Sequence, residues 1–248
     1  MGQIFAELIY RPIYNLLIFF YNVIPGHDMG VAIILVTVAL KLIMYPLSAK
    51  SIKSQKEMQR VQPLISELQK KYKDQKEKLS QELMALYKKE KVNPFSSCLP
   101  LLIQFPFLIA VFQVFRTGIA SDDSLKFLYP FITNPGHLNS TAFFGTIDLL
   151  AIHNVVLALL AGIAQYYQAK MLVTKKPPMA VPGSQDEKMT AMMNKQMLYM
   201  MPVITVVIGY TMPTGLVLYW FLTTALTALQ QVIIFRKNKK TAEIVKVP

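Results

Sequence analysis

Five runs of this chain are apolar over lengths that match the hydrocarbon core of a bilayer, and no other feature narrows its folds as much. A spanning helix needs about 20 mostly apolar residues. The runs cover residues 30–47, 97–116, 147–173, 197–212 and 216–235. Backbone inside lipid has no water to bond to, so such runs are expected to be helices. Of the 248 residues, 53% are hydrophobic and only 16% charged, which sets the chain apart from a soluble domain of its size. The expected fold class is all-α: a polytopic membrane protein with five transmembrane helices, a cytoplasmic helical hairpin and an N-terminal interfacial helix.

The net charge of +12 would suggest nucleic acid in a soluble protein. Here the cations are sorted by segment. Residues 48–96 carry twelve Lys and Arg, residues 174–196 carry four, and the tail 236–248 carries five. The loop 117–146 has a single Lys126 between its spans, and the tight turn at Pro213–Gly215 has none. The basic segments alternate across consecutive runs, as one topology requires. The positive-inside rule puts them in the cytoplasm, with the N-terminal segment outside and the C-terminus inside. The charge is then explained by orientation and by attraction to anionic lipid headgroups.

Residues 1–29 are expected to form an extracytoplasmic helix lying in the interface. The run 4–24 is apolar and aromatic, but Glu7, Arg11 and Asn15 interrupt it and Pro12 is expected to break or kink it. A sixth span is the competing reading of that run. There is no basic n-region with an A-x-A site and only one cysteine, Cys98, so neither a cleaved signal peptide nor an internal disulfide is expected. Residues 48–96 keep a helical period beneath their charge. Val61, Leu64, Ile65, Leu68 and Tyr72 form one stripe, and Leu79, Leu83, Leu86 and Tyr87 a second. Two amphipathic helices joined near Lys73–Asp74 account for both. Their outer faces carry Lys50, Lys53, Lys56, Arg60, Lys70 and Lys71. The segment 174–196, with three prolines and a glycine, is expected to be a loop.

Lys41 is the most informative single residue. It lies about ten residues into the first run, roughly 15 Å along a helix. A cation at such depth costs about 2.5–3.5 kcal/mol or more on insertion scales. It either faces a wet cavity or snorkels its ammonium to the nearby cytoplasmic interface. Within the runs the only carboxylate is Asp148, at an edge, so Lys41 is expected to lack a buried acidic partner. Gln104, Gln165, Gln168, Tyr219, Trp220, Thr223, Thr224 and Thr227 are further polar residues in the runs. Each either lines the same cavity or makes an ordinary hydrogen bond between helices, worth about 0.6 kcal/mol in lipid. Met193, Met197, Met200 and Met201 cluster at the entry to the fourth run, with Met189 and Met192 just before them. Flexible thioethers suit a surface that accepts varied apolar partners, and they equally suit plain lipid contact. The three histidines, His27, His137 and His153, have no metal-ligand spacing, and no nucleophile or phosphate-binding motif occurs. No catalytic residues, metal site or cofactor are expected.

Three blocks resemble the YidC/Oxa/Alb family of membrane protein insertases: KLIMYPLSAKSIKSQKEMQRVQP at 41–63, KVNPFSSCLPLLIQFPFLIAVF at 91–112 and MPTGLVLYWFLTTALTALQQ at 212–231. Their order, the hairpin between the first two and the N-out topology of five helices are similar to this family over essentially the whole chain after about residue 25. The resemblance implies a protein of the bacterial plasma membrane that inserts nascent membrane proteins and helps them fold, without hydrolysing a nucleotide. It implies a positively charged hydrophilic groove in the inner half of the bilayer, open to cytoplasm and lipid and closed to the outside. A short, often acidic segment of the substrate would enter this groove while its hydrophobic helix slides along the third and fifth spans. Lys41 stands where the family usually has Arg, which keeps the charge but not the rigid fork of donors. Gln104 and Trp220 match groove positions. The hairpin 50–92 matches the region that receives substrates or contacts the translocon. The implied partners are nascent clients, the Sec translocon, the signal-recognition pathway, the ribosome and anionic lipids, with a monomer as the working unit. The short tail argues against strong ribosome tethering, and the large extracytoplasmic domain of some members is not expected.

Two other functions fit the composition. A small channel or transporter would use Lys41 to select anions and would need polar residues along the full depth of several helices. A lipid-modifying enzyme would need a catalytic constellation that the sequence does not offer.

Overall fold

The computed structural model describes residues 3–73, 75–93, 99–118, 126–136, 138–143, 145–172 and 196–244. Among the described residues eight helices follow one another: α1 (Gln3–Val23), α2 (Met29–Ile43), α3 (Tyr45–Lys71), α4 (Lys76–Lys89), α5 (Leu99–Gln113), α6 (Val155–Leu172), α7 (Met201–Thr211) and α8 (Thr214–Ile244). Between α5 and α6 the short strands β1 (Thr141–Ala142) and β2 (Ile147–Asp148) pair antiparallel, Thr141 opposite Asp148. The protein is an all-α membrane protein. Helices α1, α6 and the 214–236 part of α8 are each long and apolar enough to cross a bilayer. Helices α2 and α3 together form a bent fourth candidate, and shorter apolar helices occur at Leu102–Arg116 and Leu198–Thr211.

Of the break or kink expected at Pro12, helix α1 shows no break. It runs on through the proline because a π turn, Ala6–Tyr10, widens the backbone just before it. That width accommodates the ring and the missing N–H, which would otherwise break the ladder. Pro202 follows the π turn Gln196–Met200 in the same way at the start of α7. One face of α1, made of Tyr10, Ile13, Tyr14, Leu17, Ile18 and Tyr21, is buried. These residues join a core with Met29, Ala32, Ile33 and Val36 of α2, Ala110 and Val111 of α5, and Leu216–Tyr219 of α8.

The polar residues that interrupt α1 hold the 127–139 segment. Arg11 Nε donates to the Phe127 carbonyl (3.2 Å), and its guanidinium lies over the Tyr129 ring. Asn15 Nδ2 donates to the same carbonyl (2.8 Å), while Asn15 Oδ1 accepts from Tyr129 N–H (2.6 Å). Asn22 donates to the Thr133 carbonyl (2.7 Å), and Asn139 N–H donates to the Tyr21 hydroxyl (3.0 Å). Replacing the buried Asn15 with Leu strands the Tyr129 N–H, while the Phe127 carbonyl keeps its bond from Arg11. Such a loss costs about 1–3 kcal/mol, so Asn15→Leu should lower the unfolding temperature in detergent.

Helix α2 starts at Asp28, whose carboxylate caps Val31 N–H (3.0 Å). It ends at Met44, where the axis turns by 68° into α3. Pro46 gives no N–H to the Leu42 carbonyl, so the ladder cannot continue straight. Below the bend, α3 and α4 form the hairpin on a small core of their own. Met58, Val61 and Ile65 meet Leu83, Leu86, Tyr87 and Val92, and Arg60 pairs with Glu90 at 2.8 Å.

The third run corrects the hydropathy boundary. A helix was expected from 147, yet α6 begins at Val155. Ile147 and Asp148 are spent on β2. The Leu149 and Ala151 carbonyls accept the N–H groups of Gly215 and Thr214. His153 holds a positive φ of 68°, and Asn154 caps Leu157 N–H. These residues are apolar enough for a helix, but their backbone is already bonded to the start of α8. At the other end α8 continues to Ile244, so part of the expected basic tail 236–248 is helical.

Candidate substrate groove

The polar residues of α8 recur along one side of the helix: Tyr219, Thr223, Thr227 and then Gln230 and Gln231. Spacings of three and four place them in a column. Three neighbouring helices meet this column at successive heights. Highest is Gln104 of α5, whose Nε2 donates to the Tyr219 hydroxyl (2.7 Å). About 12 Å lower along α8, Lys41 Nζ of α2 donates to Thr227 Oγ1 (2.7 Å). The Thr227 hydroxyl in turn donates to the Thr223 carbonyl (2.7 Å). Lowest, just past the bend, Ser48 of α3 pairs with the Gln230 amide at 2.8 Å.

Lys41 therefore turns inward to a hydroxyl and does not run out along the helix surface. A hydroxyl does not neutralise an ammonium, and only one of the three Lys donors is used there. The ion pairs Arg11–Glu7 and Arg60–Glu90 do not involve Lys41. A half-buried positive charge is thus offered to whatever occupies the space beside it.

Of the nine residues offered as cavity lining, Lys41, Gln104, Tyr219, Thr223 and Thr227 belong to this column. Thr223 and Thr224 are buried, and Trp220 is half-buried. Lys41 and Gln104 bond to different heights of α8 and not to each other. Met200 and Met201 are exposed, in keeping with an apolar outer surface. Met193 lies outside the described residues, as do the side chain of Met197 and nearly all of the 174–196 loop. On the hairpin Lys50, Lys53, Lys70 and Lys71 are exposed. Arg60 holds Glu90, and Lys56 lies over the Phe235 ring of α8 at 4.9 Å.

The lower end of the column was not among the predicted groove residues. Ser51 and Gln231 are each 1% exposed, and with Gln55 they carry a buried oxygen without a hydrogen-bond partner among the described residues. The signal was present: Ser48, Ser51 and Gln55 share one face of α3, and Gln230–Gln231 extend the threonine series. Substituting Gln231 with Leu removes an unsatisfied acceptor at similar volume. It should raise stability by about 1 kcal/mol, read as a higher unfolding temperature in detergent. A fall would mean that groove water bonds this amide.

The model of the family described as 60Kd inner membrane protein matches residues 19–241 of this chain. The chain belongs to that family. Among its curated relatives, the membrane protein insertase YidC of Fusobacterium nucleatum is 34% identical over 232 residues, covering 93% of this chain and 98% of the relative. That of Clostridium tetani is 37% identical, covering 86% and 84%. The Chlamydia caviae protein is 38% identical, but the match spans only 26% of its length. Among solved structures, an active YidC insertase with its first transmembrane domain resolved matches with a TM-score of 0.57 and 26% identity. The match covers 92% of this chain and 46% of that one. The 60Kd inner membrane protein family joins bacterial membrane proteins of different lengths, and the part shared with this chain contains the helices that build the column.

Proposed function

We propose that this chain is a membrane protein insertase: it gives the polar outer segment of a client a charged, hydrated path partway through the bilayer. The observation that carries this reading is the Lys41–Thr227 pair, an ammonium held inside the helix bundle on a polar column that continues to the cytoplasmic bend. Such a charge attracts an acidic tail and lowers the cost of drawing it through lipid. The column ends, toward the outside, at Tyr219 and Gln104, and that asymmetry favours a groove over a through-pore.

The assignment places five spans at α2, α5, α6, α7 and α8, with the N-terminus outside and the C-terminus in the cytoplasm. Helix α1 is then interfacial despite its length. Residues 11–22 of α1 bond to the irregular 127–139 segment along about 16 Å, and such backbone is not tolerated inside lipid. The hairpin of α3 and α4 receives clients and contacts the translocon, signal-recognition pathway and ribosome, and its exposed lysines attract anionic lipids. A client helix slides along the exposed Val156, Leu159, Leu160 and Ile163 of α6 and Leu229 and Ile233 of α8. One copy does this, and no cofactor is required.

The test is insertion of a short single-spanning client with an acidic outer tail into proteoliposomes, read by protease protection. Vesicles with this protein should protect the tail well above empty vesicles. Equal protection would refute the reading for such clients.

A further inference from the structure

Helix α3 covers the lower end of the polar column, and two contacts fix it there. At the bend, Gln230 Nε2 donates to Ser48 Oγ (2.8 Å) and reaches the Tyr45 carbonyl (3.5 Å). About two turns on, Lys56 Nζ lies over the Phe235 ring and donates to the Phe235 carbonyl (3.5 Å). The two helices thus run side by side in the same direction, over about 12 Å of α3. Ser51, Ile52 and Gln55 of α3 and Gln231 and Ile234 of α8 lie between these contacts along their helices, and all five are buried. Gln231 is one turn, about 6 Å, below Thr227, which holds Lys41. A segment that follows the column from the bend toward Lys41 meets this joint first.

The chemistry of the joint suits a contact that parts. Ser51 Oγ, Gln55 Oε1 and Gln231 Oε1 are buried in it without a hydrogen-bond partner among the described residues. Each oxygen kept dry forgoes a bond that water would supply, and so favours the parted form by about fivefold. The apolar burial of Ile52 and Ile234 favours contact and opposes this. The next turns of α3 differ. Met58, Val61 and Ile65 meet Leu83, Leu86 and Tyr87 of α4, and none of the unpaired oxygens lies among them. That apolar contact is the durable one, so α3 would leave α8 with α4 attached. A pivot lies just above: the axis turns by 68° at Met44, and Pro46 supplies no N–H to the Leu42 carbonyl.

We infer that α3 is a strap over the lower column. Docked on α8 it closes the approach to Lys41, and it lifts off to let the polar segment of a client in. The client's part in this rests on the insertase reading. The three unpaired oxygens set how readily the strap lifts, and once lifted they offer acceptors to water and to the N–H groups of the entering chain.

The experiment uses the full chain in sealed vesicles with the hairpin facing outward. Cys98→Ser removes the native thiol, and the near-isosteric Ser51→Cys reports on the joint. Labelling by a water-soluble maleimide reads the lifted form, and insertion of the acidic-tailed client is timed in the same vesicles. Ser51→Cys should label at least about tenfold more slowly than a thiol at the exposed Lys50 position, as a site reached only by local opening does. Gln231→Leu removes an unpaired oxygen and should slow labelling and insertion together, by about fivefold. Lys56→Ala removes the ring contact outside the column and should speed both by about threefold.

Equal labelling at residues 50 and 51 would overturn the strap, because nothing then covers the column. So would a Gln231→Leu protein that inserts more slowly but labels at the unchanged rate, since the glutamine then serves the groove wall and not the joint. Labelling that follows both variants while client insertion ignores them overturns the strap as the way in. If wild type inserts no client while labelling follows both variants, the insertase reading falls and the strap stands as the closure of the column.

Discussion

Lys41→Glu should slow insertion of a client with an acidic outer tail by about tenfold or more, while Lys41→Arg should retain it. The ammonium sits at Thr227 with no carboxylate beside it among the described residues, so its field is spent on the incoming segment. Reversing the sign turns attraction into repulsion inside a partly desolvated space. Two charges 4 Å apart at an effective dielectric of 20 interact by about 4 kcal/mol. Even heavily screened, the reversal should lower the initial insertion rate by about tenfold or more. Lys41→Ala should fall between, because water in the groove still shortens the apolar path. Arg keeps the charge and brings more donors to the same hydroxyl. Thr227→Val separates charge from placement: the ammonium stays but loses its tether, so insertion should weaken less than in Lys41→Ala. Protease protection over a time course reads all four. A neutral outer tail is the control, and it should be nearly indifferent to the sign at residue 41. If Lys41→Glu inserts the acidic client as fast as wild type, the charged groove is not the mechanism, and Lys41 is a structural link between α2 and α8.

The helical membrane class and the placement of most helices were legible in the sequence because both rest on periods that need no tertiary context. The stripes of 61–72 and 79–87 describe the hairpin core with nothing else known, and α3 and α4 do meet through Val61, Ile65, Leu83, Leu86 and Tyr87. Two features were not legible. Pro12 reads as a break or a kink, and the π turn before it lets α1 run on. Residues 147–152 read as the start of a span, and the β2 pairing with the bonds from Thr214 and Gly215 withholds them from a helix. The first outcome depends on a local change in the backbone ladder and the second on backbone partners distant in sequence, and hydropathy records neither. The residues of the polar column were partly legible for the same reason. Lys41, Gln104 and Thr223 stand out as polar residues in apolar runs. The pairing of Lys41 with Thr227, 186 positions away, requires α2 and α8 to be neighbours. Ser48, Ser51 and Gln55 lie in a segment already polar, where three more polar residues carry no contrast.

The small residues of α6 give the largest expected effect away from the charge. Helices associating in lipid gain little from apolar burial, so close backbone approach matters more. Gly162 has Val206 and the Pro202 carbonyl of α7 against the place its side chain would occupy. One turn earlier, Ala158 lies 3.6 Å from the Cβ position of Gly209, an ordinary contact. The two glycines should respond with opposite signs. Gly162→Leu must push α7 away from α6 along the turn that brings Pro202 and Val206 close. Overpacking of this kind costs about 1–3 kcal/mol, and here it also separates two proposed spans. The unfolding temperature in detergent should drop clearly, and client insertion should fall with it because α6 is part of the sliding face. Gly209→Ala adds a methyl at permitted distance inside a helix and removes the glycine penalty of about 1 kcal/mol. It should be neutral or mildly stabilising and should leave insertion unchanged. Equal losses in both variants would mean that α6 and α7 pack more tightly at Gly209 than these distances allow. No loss in either would mean that the helices slide freely past one another, and the third span could not then serve as a fixed surface for a client.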